Sequence, residues 1–257
     1  MPRLIIIGAM KSGTTSLFNY LARHPQLTPC RIKEPAFFAK TNWHRGIEWY
    51  ASLFPDDDTL KFEASTNYTK YPNFDHVPQR MADIIPEVRL LYIVRHPVAR
   101  LRSELIHNIR AGHLSYQRVR TQSFWENEAT FHIGCSRYYW QLEQYFPYFG
   151  KERICVIALE ELSSHPQQTM DRVLRFLDLP AGFFADHTFE MYNTAGRRSV
   201  RAAFRRLRAP RGIQNFTLTD EQQQQVWEAC VDDLEKLETL IGRKLHYQPP
   251  VSKSTGD

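Results

Sequence analysis

Leu4-Ile5-Ile6-Ile7-Gly8-Ala9-Met10-Lys11-Ser12-Gly13-Thr14-Thr15 is the stretch that decides the fold of this chain. The apolar run Leu4 to Ile7, rich in β-branched residues, reads as a strand buried on both faces. A glycine-bearing loop follows, and a helix is expected from about Thr14 to Ala22. Strand, loop and helix N-terminus together make an anion site, because free backbone N–H groups and the helix dipole converge there.

Working outward, the same alternation continues. Ile47 to Phe54 reads as a short amphipathic helix, Leu60 to Ala64 as a strand, and Val77 to Ile85 as a helix stopped by Pro86. Arg89 to Val94 is strongly β-prone, and Pro97 suits the first turn of the next helix. Tyr138 to Phe146 reads as helix, Arg153 to Leu159 as strand, and Pro166 to Leu177 as helix. Thr219-Asp220-Glu221-Gln222 is a capping box opening a long helix to about Ile241, with Val226, Leu234, Leu237 and Ile241 as its apolar stripe. Strands alternating with helices predict an α/β fold, a P-loop-like three-layer sandwich with a central parallel sheet flanked by helices. Ligands in such sheets sit at the carboxyl ends of the strands.

The opening loop differs from the triphosphatase pattern G-x-x-x-x-G-K-[ST] in one chemical respect. Gly8 and Gly13 have the right separation, but Thr14 stands where the lysine belongs, and Lys11 lies at the crown of the loop. A magnesium-dependent P-loop enzyme also needs a strand-end acid. The run Leu90 to Val94 ends instead in Arg95-His96-Pro97, which repels a metal and attracts a second phosphate. The sequence therefore predicts a metal-free site neutralised by basic side chains.

Lys11-Ser12-Gly13-Thr14-Thr15 resembles the 5′-phosphosulfate loop of the PAPS-dependent sulfotransferase family. Arg95-His96-Pro97 with Ser103 resembles that family's 3′-phosphate motif, in which arginine and serine stand eight residues apart. The likeness continues in Glu34-Pro35-Ala36-Phe37-Phe38, Gly46-Ile47-Glu48-Trp49-Tyr50 and Leu240-Ile241-Gly242, and is closest to the heparan-sulfate and bacterial carbohydrate type. Phenol and steroid enzymes usually carry tryptophan after the paired threonines, where this chain has Ser16 and Leu17.

The resemblance implies transfer of a sulfuryl group from PAPS to a hydroxyl or amine, releasing adenosine 3′,5′-bisphosphate. Sulfuryl transfer, like phosphoryl transfer, is carried by positioning and electrostatic stabilisation. Lys11 is expected to stabilise the leaving oxygen. Ser12, Gly13, Thr14, Thr15 and Ser16 are expected to cradle the 5′-phosphate, and Arg95 and Ser103 to bind the 3′-phosphate. Glu34 matches the family's catalytic glutamate as general base; Glu63 and His107 stay open as alternatives. Arg197 and Arg198 fall where the family has a basic loop closing over the cofactor. Arg198, Arg201, Arg205 and Arg208 fall on one helix face, available to an anionic acceptor or simply solvated. Trp43, Trp49, Tyr50, Tyr68 and Tyr71 flank the expected cleft, available to stack on a sugar ring or an apolar acceptor, or simply to pack in the core.

At 257 residues, the chain has room for one α/β domain, expected over 1–250, with 251–257 a frayed tail. Its formal net charge of +5 suits an anionic cofactor and is too mild to argue for nucleic acid alone. No apolar run approaches the roughly 20 residues of a membrane span, and no secretory leader is read at the start. Cys30, Cys135, Cys155 and Cys230 are widely spaced, which points to reduced structural thiols and no zinc site. With neither span nor leader read, the chain is expected to be cytoplasmic, or else a domain of a longer, anchored protein. The acceptor is expected to be a glycan or a small molecule, such as a lipid or secondary metabolite. A nucleotide kinase and a non-catalytic nucleotide-binding module are the competing classes.

Overall fold

The computed structural model describes residues 1–189 and 213–251. They fall into two compact units, Met1–Arg95 with Gln141–Thr194, and His96–Trp140 with Ala195–Asp257. Elements are numbered along the chain.

The first unit is built on a parallel sheet of β1 (Leu4–Gly8), β2 (Leu27–Pro29), β3 (Leu60–Ala64), β4 (Arg89–Val94) and β5 (Ile154–Ala158). The strand order is β2-β3-β1-β4-β5. Successive side chains of a strand point to opposite faces. Leu4, Ile6, Phe62, Ala64, Leu91, Ile93, Cys155 and Ile157 make one face. They pack on Leu17, Phe18 and Leu21 of α1 (Thr14–Leu21) and on Met170, Val173 and Leu174 of α11 (Pro166–Phe176). Their alternates Ile5, Ile7, Leu90, Tyr92 and Val94 are equally buried, so the sheet is covered on both sides. The remaining helices of this unit are α2 (Lys40–Trp43), α3 (Gly46–Ala51), α4 (Val77–Ile84) and α10 (Leu159–Ser164). The chain builds β2 and β3 on one side of β1, then β4 and β5 on the other. The carboxyl end of β1 thus lies where the order reverses, the usual ligand position in an open α/β sheet.

The second unit contains α5 (Pro97–Ala111), α6 (Tyr116–Val119), α7 (Gln122–Asn127), α8 (Ala129–Gly134) and the long α12 (Asp220–Ile241). The helix α9 (Tyr138–Glu143) runs across the boundary between the units. Leu101, Leu105 and Ile109 of α5 share a core with Ile133 of α8 and with Val226 and Cys230 of α12. Inside this unit Arg100 is fully buried. Its guanidinium donates to Ser136 Oγ at 2.5 Å, Glu104 Oε2 at 2.8 Å and the His132 carbonyl at 2.6 Å. Burial alone would raise the Glu104 carboxyl, yet Arg100 and His132 hold it down at about 2. This ion pair fixes the inner face of α5.

The expected parallel α/β architecture is the one found. The strand β2 escapes a sequence reading because it is three residues long and ends in Pro29, which only an edge strand tolerates. The helix expected to reach Phe146 stops at Glu143, and the chain turns there through the Tyr145 N–H bond to the Leu142 carbonyl at 2.8 Å. Among the described residues no helix is long and apolar enough to cross a membrane.

Candidate active site

The loop between β1 and α1 is held from several sides. Ala9 N–H donates to the Ile93 carbonyl of β4 at 2.7 Å, and the Thr69 hydroxyl donates to the Ile7 carbonyl at 3.0 Å. A side chain at Gly8 would place its Cβ 2.0 Å from Thr69 Oγ1, so only glycine lets this contact close. Lys11, at the crown, has φ 70°, a left-handed backbone that costs a non-glycine residue about 1–2 kcal/mol. Such strain is characteristic of functional loops.

Gly13 caps α1 from a left-handed conformation with φ 95° and provides no side chain to its first turn. The N–H groups of that turn have no intrahelical acceptor. Ser12 is fully buried, and among the described residues its hydroxyl has no hydrogen-bond partner. A buried hydroxyl left unsatisfied costs about 1–3 kcal/mol. A phosphate in this cradle would satisfy both Ser12 and the helix N-terminus. The residues present therefore fit the 5′-phosphate end of a nucleotide.

Arg95 follows the last residue of β4, and its Nη1 donates to the Lys11 carbonyl at 3.2 Å. Two cations of the predicted set, Lys11 and Arg95, thus belong to one crown. Among the described residues no group of three or more His, Cys, Asp or Glu side chains is gathered as metal ligands.

Glu34 reaches the same region from the segment after β2. Its N–H donates to the Ala64 carbonyl at the end of β3 at 3.0 Å, and its own φ is 61°. Glu34 Oε2 accepts from the Thr66 N–H at 2.8 Å and the Thr66 hydroxyl at 3.2 Å. Lys33 Nζ donates to Glu34 Oε1 at 3.4 Å and to Thr15 Oγ1, in the first turn of α1, at 3.0 Å. A continuous chain of polar contacts therefore joins the loop to Glu34.

Glu63 lies behind this surface, fully buried in β3. Its Oε1 accepts from Tyr50 at 3.0 Å and Tyr68 at 2.8 Å, and its Oε2 from Ser65 at 2.7 Å. Burial lifts its carboxyl to about 7; the bonds from Ser65, Tyr68 and Tyr50 oppose this and the Glu34 charge adds to it. Ser65 Oγ in turn accepts from Ala36 N–H at 2.9 Å, and Tyr68 OH from Phe38 N–H at 3.4 Å. Glu63 is thus the hub that pins the Glu34-bearing segment to β3. Tyr50 and Tyr68, expected to flank a cleft, are buried here as its donors. Trp43 remains exposed, packed on Phe37 and near Arg80, and the Arg45 guanidinium lies 4.1 Å over the Trp49 ring.

The first unit thus contains Lys11, Ser12, Gly13, Thr14, Thr15, Ser16, Glu34 and Arg95. Ser103 and His107 lie on α5, in the second unit. Arg197 and Arg198, and the basic stripe to Arg208, lie outside the described residues. Sequence reading missed Lys33 and Thr66, which touch Glu34. The Glu34-Pro35-Ala36-Phe37-Phe38 motif is visible in the sequence, but not that Lys33 before it faces the helix after β1.

Residues 1–198 match the sulfotransferase domain family. A relative from Caenorhabditis elegans, bifunctional heparan sulfate N-deacetylase/N-sulfotransferase 1, is 28% identical over 75% of this chain. A mouse relative, bifunctional heparan sulfate N-deacetylase/N-sulfotransferase 4, is 29% identical over 69% of the chain. The chain spans 23% and 22% of the lengths of these relatives. A sulfotransferase structure from Alicyclobacillus acidocaldarius covers 95% of this chain and is itself covered to 97%, with TM-score 0.73 and 24% identity. A mouse sulfotransferase solved with PAP covers 93%, is covered to 86%, and has TM-score 0.60 at 14% identity. These two structures share the fold.

Proposed function

This chain belongs to the sulfotransferase domain family, whose donor is PAPS, and we propose that it moves a sulfuryl group from PAPS to a hydroxyl or amine acceptor. The observation that carries the reading is the link Thr15–Lys33–Glu34, which ties a phosphate cradle to a carboxylate able to take a proton. When bound, PAPS supplies the sulfuryl group, and adenosine 3′,5′-bisphosphate is left. Lys11 meets the charge that develops on the departing oxygen. Ser12 to Ser16 hold the 5′-phosphate; Arg95, with Ser103 on the strength of the sequence motif, holds the 3′-phosphate. Glu34 receives the acceptor's proton as general base. Glu63 is unsuited to that part, because both its oxygens are enclosed by hydroxyl donors. Arg197 and Arg198 are assigned to the cofactor by their place in the chain alone.

The acceptor class we favour is a glycan, with a lipid or secondary metabolite as the other choice. The relatives named for heparan sulfate support the first. We assign residues 1–250 to one catalytic domain with a short tail, a reading supported by the family match running through both compact units. Four cysteines, all buried as free thiols, support a reducing, cytoplasmic setting.

Calorimetry tests the donor. Adenosine 3′,5′-bisphosphate should bind without magnesium and more tightly than ATP, whereas magnesium-dependent ATP binding would establish a kinase instead. With radiolabelled PAPS and an acceptor panel, Glu34→Gln should lower kcat by about 10²–10⁴-fold while bisphosphate affinity is kept. Full activity in that variant would move the base to His107.

A further inference from the structure

Lys33 is the cation shared by the phosphate cradle and the carboxylate. Its Nζ is 3.0 Å from Thr15 Oγ1 and 3.4 Å from Glu34 Oε1. A closed, charge-assisted pair brings nitrogen and oxygen to about 2.7–2.9 Å. The contact to Glu34 is longer than that, and the contact to Thr15 is to a neutral hydroxyl. An ammonium has three N–H donors, and these two contacts leave one of them to spend. The Lys33 side chain is about one-third exposed, so its charge is neither sealed in the core nor lost to bulk solvent.

The chemistry gives this position a meaning. In-line transfer sets the proton acceptor at one end and the departing oxygen at the other, with negative charge spread over the equatorial oxygens between them. Glu34 marks the first end and the first turn of α1 the second. A cation bonded to both stands beside the path between them. Lys11, at the loop crown, serves the departing oxygen and leaves the equatorial oxygens to another donor.

Resting on the PAPS reading, we propose that Lys33 is a second catalytic cation, which binds the sulfuryl oxygens of the donor. Its proximity to Glu34 also keeps the base facing the group to be transferred.

The test needs no acceptor. PAPS carries the sulfuryl oxygens and adenosine 3′,5′-bisphosphate does not, so calorimetry with both ligands isolates the contact. Lys33→Met should weaken PAPS binding about tenfold, or 1.4 kcal/mol, the size of one charge-assisted hydrogen bond. Its affinity for the bisphosphate should stay within about twofold of the parent on the same reasoning. That retained affinity doubles as proof of folding; should the Met variant fail to fold, Lys33→Gln is read the same way. Lys33→Arg should recover most of the PAPS affinity. Equal weakening toward both ligands would overturn the proposal, assigning Lys33 to the 5′-phosphate or to loop structure. No change toward either would reduce it to a surface contact of Glu34. If the parent protein binds neither ligand, the PAPS reading itself falls and this proposal with it, an outcome visible before any variant is made.

Discussion

Glu63 carries a large electrostatic cost for an ordered loop. Its carboxyl is fully buried, and burial lifts its titration from 4.5 to about 7. Between those values the folded protein keeps a proton that the unfolded chain releases, so this group's contribution to stability falls as pH rises. The contribution is fully present below about 4.5 and gone above about 7, a change of roughly 3 kcal/mol. Urea denaturation of the parent and Glu63→Gln at pH 5 and pH 7.5 should show this slope only in the parent. Equal slopes in the two proteins would mean that Glu63 does not titrate in that window. At this scale the sequence was partly legible. Lys11 and Glu34 stood out because each is a charged residue inside a recognisable pattern. The hub at Glu63 did not, since the sequence leaves open whether Tyr50 and Tyr68 pack in the core or line a cleft, and only burial shows their hydroxyls turned to Glu63. Lys33 was equally opaque, because its partner Thr15 lies across a strand crossover.

Secondary-structure elements are joined by polar anchors as well as apolar stripes. Asp233 interrupts the stripe of α12 between Cys230 and Leu234, yet it is only 5% exposed. Its two oxygens accept the backbone N–H groups of Tyr139 and Trp140, each at 2.8 Å. Those N–H groups open α9, where no intrahelical acceptor exists, and a carboxylate there is favoured by the helix dipole as well. Asp233→Ala should therefore destabilise the protein by about 2–3 kcal/mol, measurable as a lower urea midpoint. Asp233→Asn, which keeps one acceptor, should cost less than Asp233→Ala. Long elements with one clear period were readable, as the capping box at Thr219 and the run Leu4 to Ile7 demonstrate. The short helices α6 to α8 were not. Each has too few residues for a period to emerge, and two depend on single caps from Ser115 and Thr121.

The whole molecule offers a simple thermodynamic check. A ligand that binds only the folded state stabilises it by about 2.7 kcal/mol at a hundredfold excess over Kd. Adenosine 3′,5′-bisphosphate with a chelator present should therefore raise Tm by roughly 5 °C or more. ATP at the same concentration should raise it less. The parallel sheet was legible at this scale because strand–helix alternation is a global pattern. The division into two compact units was not, because the second is assembled from separate stretches of chain. The strand order also bears on how the protein is made. The strand that bears the phosphate loop is synthesised first and lies in the middle of the finished sheet. Translation at about 5–20 residues per second takes on the order of 10 s to pass from β1 to β4. Throughout that interval one edge of β1 is an unpaired row of peptide groups flanked by isoleucines, the pattern that invites pairing with other chains. The anion cradle is thus unfinished until β4 emerges, and the nascent stretch from β1 to β3 is where holding by a chaperone would matter most.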